Sequence, residues 1–267
     1  MKKAIFEEAG KMGVVEAPVP VIENEDDVII KVVRACVCGS DLWAYSAGDA
    51  KEAYSENSGH EALGIVEAVG PAINTVKKGD FVIVPFTHGC GHCPACLAGF
   101  DGVCQAHSNN FSMGFQAQYL KFAYGDWALV KIPGQPSDYS EGMLKSLLTL
   151  SDVMATGYHA AVTARVSKGD KVVVVGDGAV GQCAVIAAKM LGAAQIIIMS
   201  RHEDRQQMAL ESGATTYDKN LLLKAVLDGE INPGKVFTHS YKLDQINQAY
   251  QDMATRKTIK SYIVFAD

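Results

Sequence analysis

Four consecutive valines, Val172–Val175, run into Gly176-Asp177-Gly178-Ala179-Val180-Gly181, and the helix-forming stretch Gln182–Leu191 follows directly. From Lys171 to Tyr217 the pattern alternates: apolar strand, helix, a second apolar strand at Ile196–Met199, a charged helix, a third short strand. Strand–helix–strand alternation with continuous apolar strands calls for a parallel sheet covered on both faces. A lone G-x-G-x-x-G is weak, but here it follows a strand, opens a helix and lies inside a βαβ unit. Its glycines permit a tight turn and bring a pyrophosphate close to a helix N-terminus, where free N–H groups and the dipole favour anions. Gly176, Gly178, Ala179, Val180 and Gly181 are therefore candidate dinucleotide-binding residues; a glycine-rich turn with no ligand is the bland alternative. Asp177 is an unhelpful charge beside a pyrophosphate unless its side chain points away.

The end of the second strand bears on which dinucleotide. An NAD-selective site would place an acid there for the ribose 2′-hydroxyl. This chain has Ser200-Arg201, with Arg205 one turn further on. A hydroxyl and guanidinium groups suit a 2′-phosphate, so NADP is favoured over NAD, with a solvated surface arginine as the competing account of Arg201.

Two further clusters carry metal chemistry. Cys90, Cys93, Cys96 and Cys104 place four thiols at spacings of three, three and eight on one loop. Such a set can close a tetrahedral zinc site, and with no position left open the site is structural. An iron–sulfur cluster is the other tenant of four thiolates, and His88 and His92 stand nearby as spare ligands. The second cluster is spread out. Cys38-Gly39-Ser40-Asp41, Gly59-His60-Glu61 and Ser151-Asp152 together offer a thiolate, an imidazole and carboxylates. A catalytic zinc needs three protein ligands of these kinds and one open position. Cys38 and His60 are the candidate ligands, with Asp152 as the third.

The rest of the chain frames these motifs. At 267 residues it exceeds one comfortable core, so two domains are expected. Short β-branched runs at Val28–Val33, Gly64–Gly70 and Phe81–Pro85 indicate a compact β-rich first domain, a partly open barrel in outline. Helical periodicity begins at Glu141, which puts the boundary near residues 140–150. A net charge of −6 and a pI near 5.6 argue against a nucleic-acid partner. No apolar run approaches the roughly 18 residues of a membrane span. The opening Met1–Glu8 reaches acid too soon for a signal peptide. A cytoplasmic protein is expected, and its seven cysteines then point to metal rather than disulfides.

Jointly these motifs, with Gly114–Tyr119 after the zinc loop, resemble the zinc-dependent alcohol dehydrogenases of the medium-chain dehydrogenase/reductase superfamily. The resemblance covers most of residues 1–217 and resumes near Asn220. It implies an α/β protein: a β-rich GroES-like catalytic domain over residues 1–148, to which residues 236–267 return, and a doubly wound Rossmann domain over residues 149–235. It implies a catalytic zinc on Cys38, His60 and Asp152, proton removal through Ser40, and an orienting or transient role for Glu61 beside the metal. A second, structural zinc would sit on Cys90, Cys93, Cys96 and Cys104. The implied reaction is hydride transfer between an alcohol, or its aldehyde or ketone, and a nicotinamide cofactor. Cys36 and Cys183 remain as plain buried residues, and Trp43, Tyr45 and Phe86 as pocket-facing candidates.

The chain departs from that family in one large respect. A doubly wound domain has six strands in two halves, and only the first half is visible here. After Tyr217-Asp218 the sequence passes to a helix at Leu221–Gly229, then to Phe237–His239, a helix at Leu243–Ala254 and a strand at Ile259–Phe265. About 60 to 80 residues are missing internally, from usual element and loop lengths. The lost half would form a wall around the nicotinamide and carry the strand through which family members pair, so the expected homo-oligomer lacks its usual contact. Impaired activity follows from that reading. The other reading is a non-catalytic zinc-binding remnant, acting as a nucleotide- or partner-binding module through its bare sheet edge.

Overall fold

The structure is a computed structural model that describes residues 1–46, 58–106, 112–217, 232, 235, 237–242, 245–258 and 260–264. It opens with an antiparallel hairpin of β1 (Lys2–Glu8) and β2 (Lys11–Glu16). Then come β3 (Val28–Ala35), helix α1 (Asp41–Ser46), β4 (Ala62–Val69), β5 (Phe81–Val84) and the short α2 (Pro94–Leu97). β6 (Tyr119–Phe122), α3 (Gly125–Ala128) and β7 (Val130–Ile132) complete the first region. Five of these strands make one antiparallel sheet in the order β6-β3-β4-β5-β7.

The period of two along β5 explains why this sheet is stable. Val82 and Val84 enter one core with Val28, Ile30, Val66 and Phe122. Phe81 and Ile83 enter another with Leu63, Ile132 and Leu144. All four residues of β5 are buried, because alternate side chains point to opposite faces and both faces are covered. Leu144 comes from α4 (Glu141–Thr149), whose first turn is capped by Ser140: the Met143 N–H donates to its Oγ at 3.2 Å.

The second region begins with α5 (Val153–Thr163) and continues through β8 (Lys171–Val175), α6 (Ala179–Met190), β9 (Gln195–Met199), α7 (Glu203–Ser212) and β10 (Thr216–Tyr217). The three strands are parallel, in the order β10-β9-β8. Val185 and Ala188 of α6 and Ala209 of α7 pack with Ile196 and Ile198, with Val172 and Val174 at the margin. Among the described residues, the expected cover on both faces of this sheet does not extend to β8, where Val173 is 48% and Val175 75% exposed. In a doubly wound fold the strand beyond β8 and the helices over the second face belong to the second half, the half this sequence lacks.

The final described elements are β11 (Phe237–Lys242), α8 (Ile246–Ala254) and β12 (Lys260–Val264). β11 and β12 form a two-stranded parallel sheet of their own. Asp252 of α8 accepts from the Tyr241 hydroxyl at 2.7 Å and ties helix to strand. The expected helix at Leu221–Gly229 and the ends of the last two expected elements, at Leu243 and Phe265, lie outside the described residues.

Candidate functional site

Two groups of metal-ligating side chains come together among the described residues. In the first, the sulfurs of Cys90, Cys93, Cys96 and Cys104 lie within 4.8 Å of one another, all buried. Cys93 Sγ is 3.5 Å from Cys96 Sγ and 3.9 Å from Cys104 Sγ. A tetrahedral zinc with bonds of about 2.3 Å would hold its sulfurs about 3.8 Å apart, so the set fits that ion. Backbone N–H groups also aim at the sulfurs: Cys93 to Cys90 at 3.3 Å, Gln105 to Cys93 at 3.4 Å, and Cys90 to Cys104 at 3.4 Å. The Gln105 N–H, helped by Cys96, lowers the Cys93 thiol to about 6. Burial pushes Cys96 up to about 12. His88 and His92 are engaged elsewhere: His88 Nε2 is 2.8 Å from Ser112 Oγ, and His92 Nδ1 3.0 Å from the Cys90 carbonyl.

The second group draws on three places in the chain. Cys38 sits between β3 and α1, His60 and Glu61 precede β4, and Asp152 is the residue before α5. Their ligand atoms also lie within 4.8 Å of one another. His60 Nε2 is 3.2 Å from Asp152 Oδ2, and Cys38 Sγ is 3.9 Å from the same oxygen. The other Asp152 oxygen accepts from the Thr156 hydroxyl at 2.7 Å, which fixes the carboxylate's orientation.

Asp41, unassigned from the sequence, supports two of these residues. Its Oδ2 accepts the Cys38 N–H at 2.8 Å, and its Oδ1 lies 3.3 Å from His60 Nδ1. A carboxylate behind the far nitrogen of a metal-ligating histidine orients the ring. The one signal for it in the sequence is its position three residues after Cys38. Cys36 also differs from the expectation of a plain buried residue: it is half-buried, and its thiol donates to Glu61 Oε2. Cys183 is buried as expected.

The electrostatics of the cluster suit a bound cation. Asp152's hydrogen bond raises the His60 imidazole to about 9 against the opposing effect of burial, with Cys38 and Asp41 adding to the rise. Burial pushes the Glu61 carboxyl up; Cys36 opposes the rise and the Asp152 charge reinforces it. Burial would also raise Asp152, but the hydrogen bonds from His60 and Thr156 outweigh it and hold the group below its ordinary value. Glu61 Oε1 is buried with no hydrogen-bond partner. A thiol, an imidazole and two carboxylates around one point, with Glu61 Oε1 unsatisfied, form a donor set that suits zinc.

This group opens into a cavity of about 1010 Å³, lined by Cys38, Ser40, His60, Phe86 and Asp152 at one end and by Gly176, Gly178 and Gly181 at the other. Phe86 meets the His60 ring edge-on at 5.9 Å. Trp43, by contrast, is 82% exposed, and Tyr45 is absent from the lining. At the glycine end, Gly176 has a φ of +106°, which a side chain rarely adopts. A Cβ on Gly181 would meet the Gly176 carbonyl oxygen at 2.1 Å, so helix and turn can close only on glycine. A Cβ on Gly178 would meet nothing within 4 Å, which leaves room for an anion at the start of α6.

Asp177 turns away from that opening toward the end of β9. Its carboxylate accepts from Ser200 Oγ at 2.7 Å, lies 2.6 Å from His202 Nδ1, and pairs with Arg205 Nη1 at 3.1 Å. Ser200 and Arg205 are thus brought together through Asp177, while Arg201 is exposed beside them. Sequence reasoning named neither partner, Asp177 or His202, for this corner.

The chain resembles known proteins in sequence and in fold. Residues 24–134 match the alcohol dehydrogenase GroES-like domain. The chain is 36% identical to a probable zinc-binding alcohol dehydrogenase of Mycobacterium tuberculosis, over 80% of this chain and 55% of the relative. It is 33% identical to the glutathione-independent formaldehyde dehydrogenase of Pseudomonas aeruginosa, over 76% of this chain and 55% of the relative. Among solved structures, the alcohol dehydrogenase of Thermus sp. ATN1 superposes with a TM-score of 0.72 at 21% identity, over 100% of both chains. The chain is thus similar over most of its length to zinc-type alcohol dehydrogenases, and residues 24–134 carry the GroES-like domain of alcohol dehydrogenases. It spans about half the length of the curated relatives it matches. No helix among the described residues is long and apolar enough to cross a membrane.

Proposed function

We propose that this chain is a zinc-dependent oxidoreductase that moves a hydride between a small alcohol, or its aldehyde or ketone, and NADP(H), at a rate reduced by its missing half-sheet. The observation that carries the reading is the single cavity joining Cys38, His60 and Asp152 to Gly176, Gly178 and Gly181. In this reading residues 1–148 and 236–267 form the catalytic domain, and residues 149–235 a shortened dinucleotide-binding domain.

Cys38, His60 and Asp152 would hold the zinc, which supplies Lewis-acid polarisation of the alcohol oxygen, while the nicotinamide supplies the hydride acceptor. Asp41 orients His60, and Thr156 fixes Asp152. Glu61, the fourth member of the cluster, would orient the site or bind the metal transiently. Ser40 lines the cavity yet is exposed, so its hydroxyl can take the alcohol proton and pass it to water. Phe86, Met113 and the β8 valines give apolar walls that exclude water from the reacting atoms. Cys90, Cys93, Cys96 and Cys104 would hold the second zinc and fix their own loop.

The test is a panel of small primary and secondary alcohols and their aldehydes with zinc-loaded protein and NADP(H), read at the nicotinamide absorbance. Turnover that disappears in Cys38→Ser supports the proposal. The exposure of Val173 and Val175 favours a second reading, a zinc-binding remnant whose bare edge recruits a partner strand. Two zincs per chain with no turnover on any member of the panel would favour that remnant.

A further inference from the structure

The cluster of Cys38, His60, Glu61 and Asp152 offers a cation two arrangements. Four protein donors make the closed set of a structural zinc, whereas three leave the open position that a reaction needs. Glu61 is the member that decides between them. Cys38, His60 and Asp152 line the large cavity, while Glu61 is absent from that lining and only 3% exposed. Its carboxylate meets the cluster from the side away from the cavity. A full bond from there would leave a four-coordinate ion nothing to offer a molecule in the cavity.

Behind Glu61 stands Cys36. Its thiol donates to Glu61 Oε2, while Oε1 is buried with no hydrogen-bond partner. One oxygen of the carboxylate is therefore tethered and the other is not. Cys36 and Cys38 alternate with Val37, which is 68% exposed, so the extended chain after β3 turns both thiols inward. The backbone under the tether is fixed as well. The Cys36 carbonyl accepts from Gln116 Nε2 at 2.9 Å. The same Gln116 side chain lies against Gly59, where a Cβ would meet its Cγ at 2.5 Å, and the Gln116 N–H donates to the Ser58 carbonyl at 3.2 Å. One residue thus locks the stretch that carries Cys36 to the stretch that carries Glu61. Among the described residues, Cys36 lines a separate cavity of about 450 Å³ with Phe115 and Gln116, not the large one. A substrate in the large cavity does not meet it, so its influence on the site passes through Glu61.

We infer that Cys36 is a positioning residue that holds Glu61 back from the metal, so that Cys38, His60 and Asp152 keep an open site rather than a closed one. This rests on the metal-binding part of the proposed function and on none of its hydride chemistry. With Oε2 engaged by the thiol, Glu61 has only Oε1 to offer, as a weak donor that a ligand in the cavity displaces. Without the thiol both oxygens of a buried carboxylate would lack partners, and the cation beside them is what satisfies them.

Cobalt in place of zinc tests this, because its visible bands report the number and kind of its donors. The difference between the unaltered chain and Cys38→Ser, which keeps the four-cysteine site, isolates the open cluster. Imidazole, a small neutral donor, should shift those difference bands in the unaltered chain. In Cys36→Ala its affinity should fall about tenfold or more, the scale of a lost hydrogen bond to a charged group, and a chelator should strip the cobalt more slowly. Cys36→Ser, which keeps a donor, should stay near the unaltered chain. Adding Glu61→Gln to Cys36→Ala should restore imidazole binding. A thiol that serves packing alone would instead loosen the cobalt in Cys36→Ala, and that result would overturn the inference. So would unchanged imidazole affinity in Cys36→Ala, or a loss that Glu61→Gln does not undo. Only one cobalt per chain in the unaltered protein would overturn both this tether and the catalytic-zinc part of the proposed function. Absent turnover beside the expected imidazole pattern would sink the hydride chemistry and leave the tether standing.

Discussion

β5 and β8 are nearly the same sequence in two different situations. Phe81-Val82-Ile83-Val84 and Val172-Val173-Val174-Val175 are both uninterrupted apolar runs, yet every residue of the first is buried while Val173 and Val175 of the second stand open. β5 has β4 on one side, β7 on the other and a core on each face. β8 has β9 on one side, and its valines on the uncovered face line the cavity. Among the described residues, β8 is an apolar strand with one face and one edge uncovered, where a doubly wound fold supplies burial on both. The first sheet is a complete structure, and the second is half of one.

The sharpest way to break that contrast is to truncate one side chain in each strand. Phe81→Ala, at a fully buried side chain, should cost about 3–5 kcal/mol of stability by denaturant unfolding, from lost burial and a cavity. A loss under about 1 kcal/mol would mean the first sheet is looser than its packing indicates.

The metal sites offer the next effect. Cys96→Ser should lower bound zinc from two per chain to one and bring down the thermal midpoint, because the loop's core is the four thiols themselves. Cys38→Ser should remove the other zinc with a smaller shift, since that cluster opens onto a cavity. Elemental analysis beside a melting curve separates the two, and equal shifts would contradict the distinction.

A third effect is a pH dependence confined to the open cluster. In the metal-free chain His60 titrates at about 9, above its ordinary value near 6.5, because of Asp152. A raised pKa contributes stability that is fully present below pH 6.5 and is lost as pH climbs through about 9. Metal-free protein should thus lose stability over that window. Zinc affinity at the site should rise with pH over the same range, by up to about tenfold per unit, as the imidazole proton must leave first. His60→Gln should abolish the stability trend of the metal-free protein.

The smallest effect lies on β8. Val175→Ser, at a side chain 75% exposed, should change stability by no more than about 0.5 kcal/mol. A loss near that of Phe81→Ala would show that something covers this strand in solution.

Much of this was legible in the sequence, and the reasons are local. The four cysteines sit within fifteen residues, so their meeting follows from short spacing alone. The β8–α6 turn was legible because strand, glycines and helix are contiguous, and Gly176 and Gly181 prove irreplaceable on backbone grounds. Cys38, His60 and Asp152 lie up to 114 residues apart and could be joined only through the family resemblance. What stayed hidden was orientation. Nothing in the order of residues says that the Cys36 thiol turns to Glu61, that Asp41 lies behind His60, or that Asp177 reaches to Ser200, His202 and Arg205. Such contacts depend on how separate strand ends are set side by side.

The central claim is that a chain with half a dinucleotide-binding sheet still joins a working metal centre to its cofactor. The direct measurement is hydride transfer by zinc-loaded protein carrying two zincs per chain, across a panel of small alcohols and aldehydes with NADP(H). The account predicts slow but measurable turnover that vanishes in Cys38→Ser. Full zinc occupancy with no change in nicotinamide absorbance on any substrate would contradict it, and would leave a protein that kept its metals and lost its reaction.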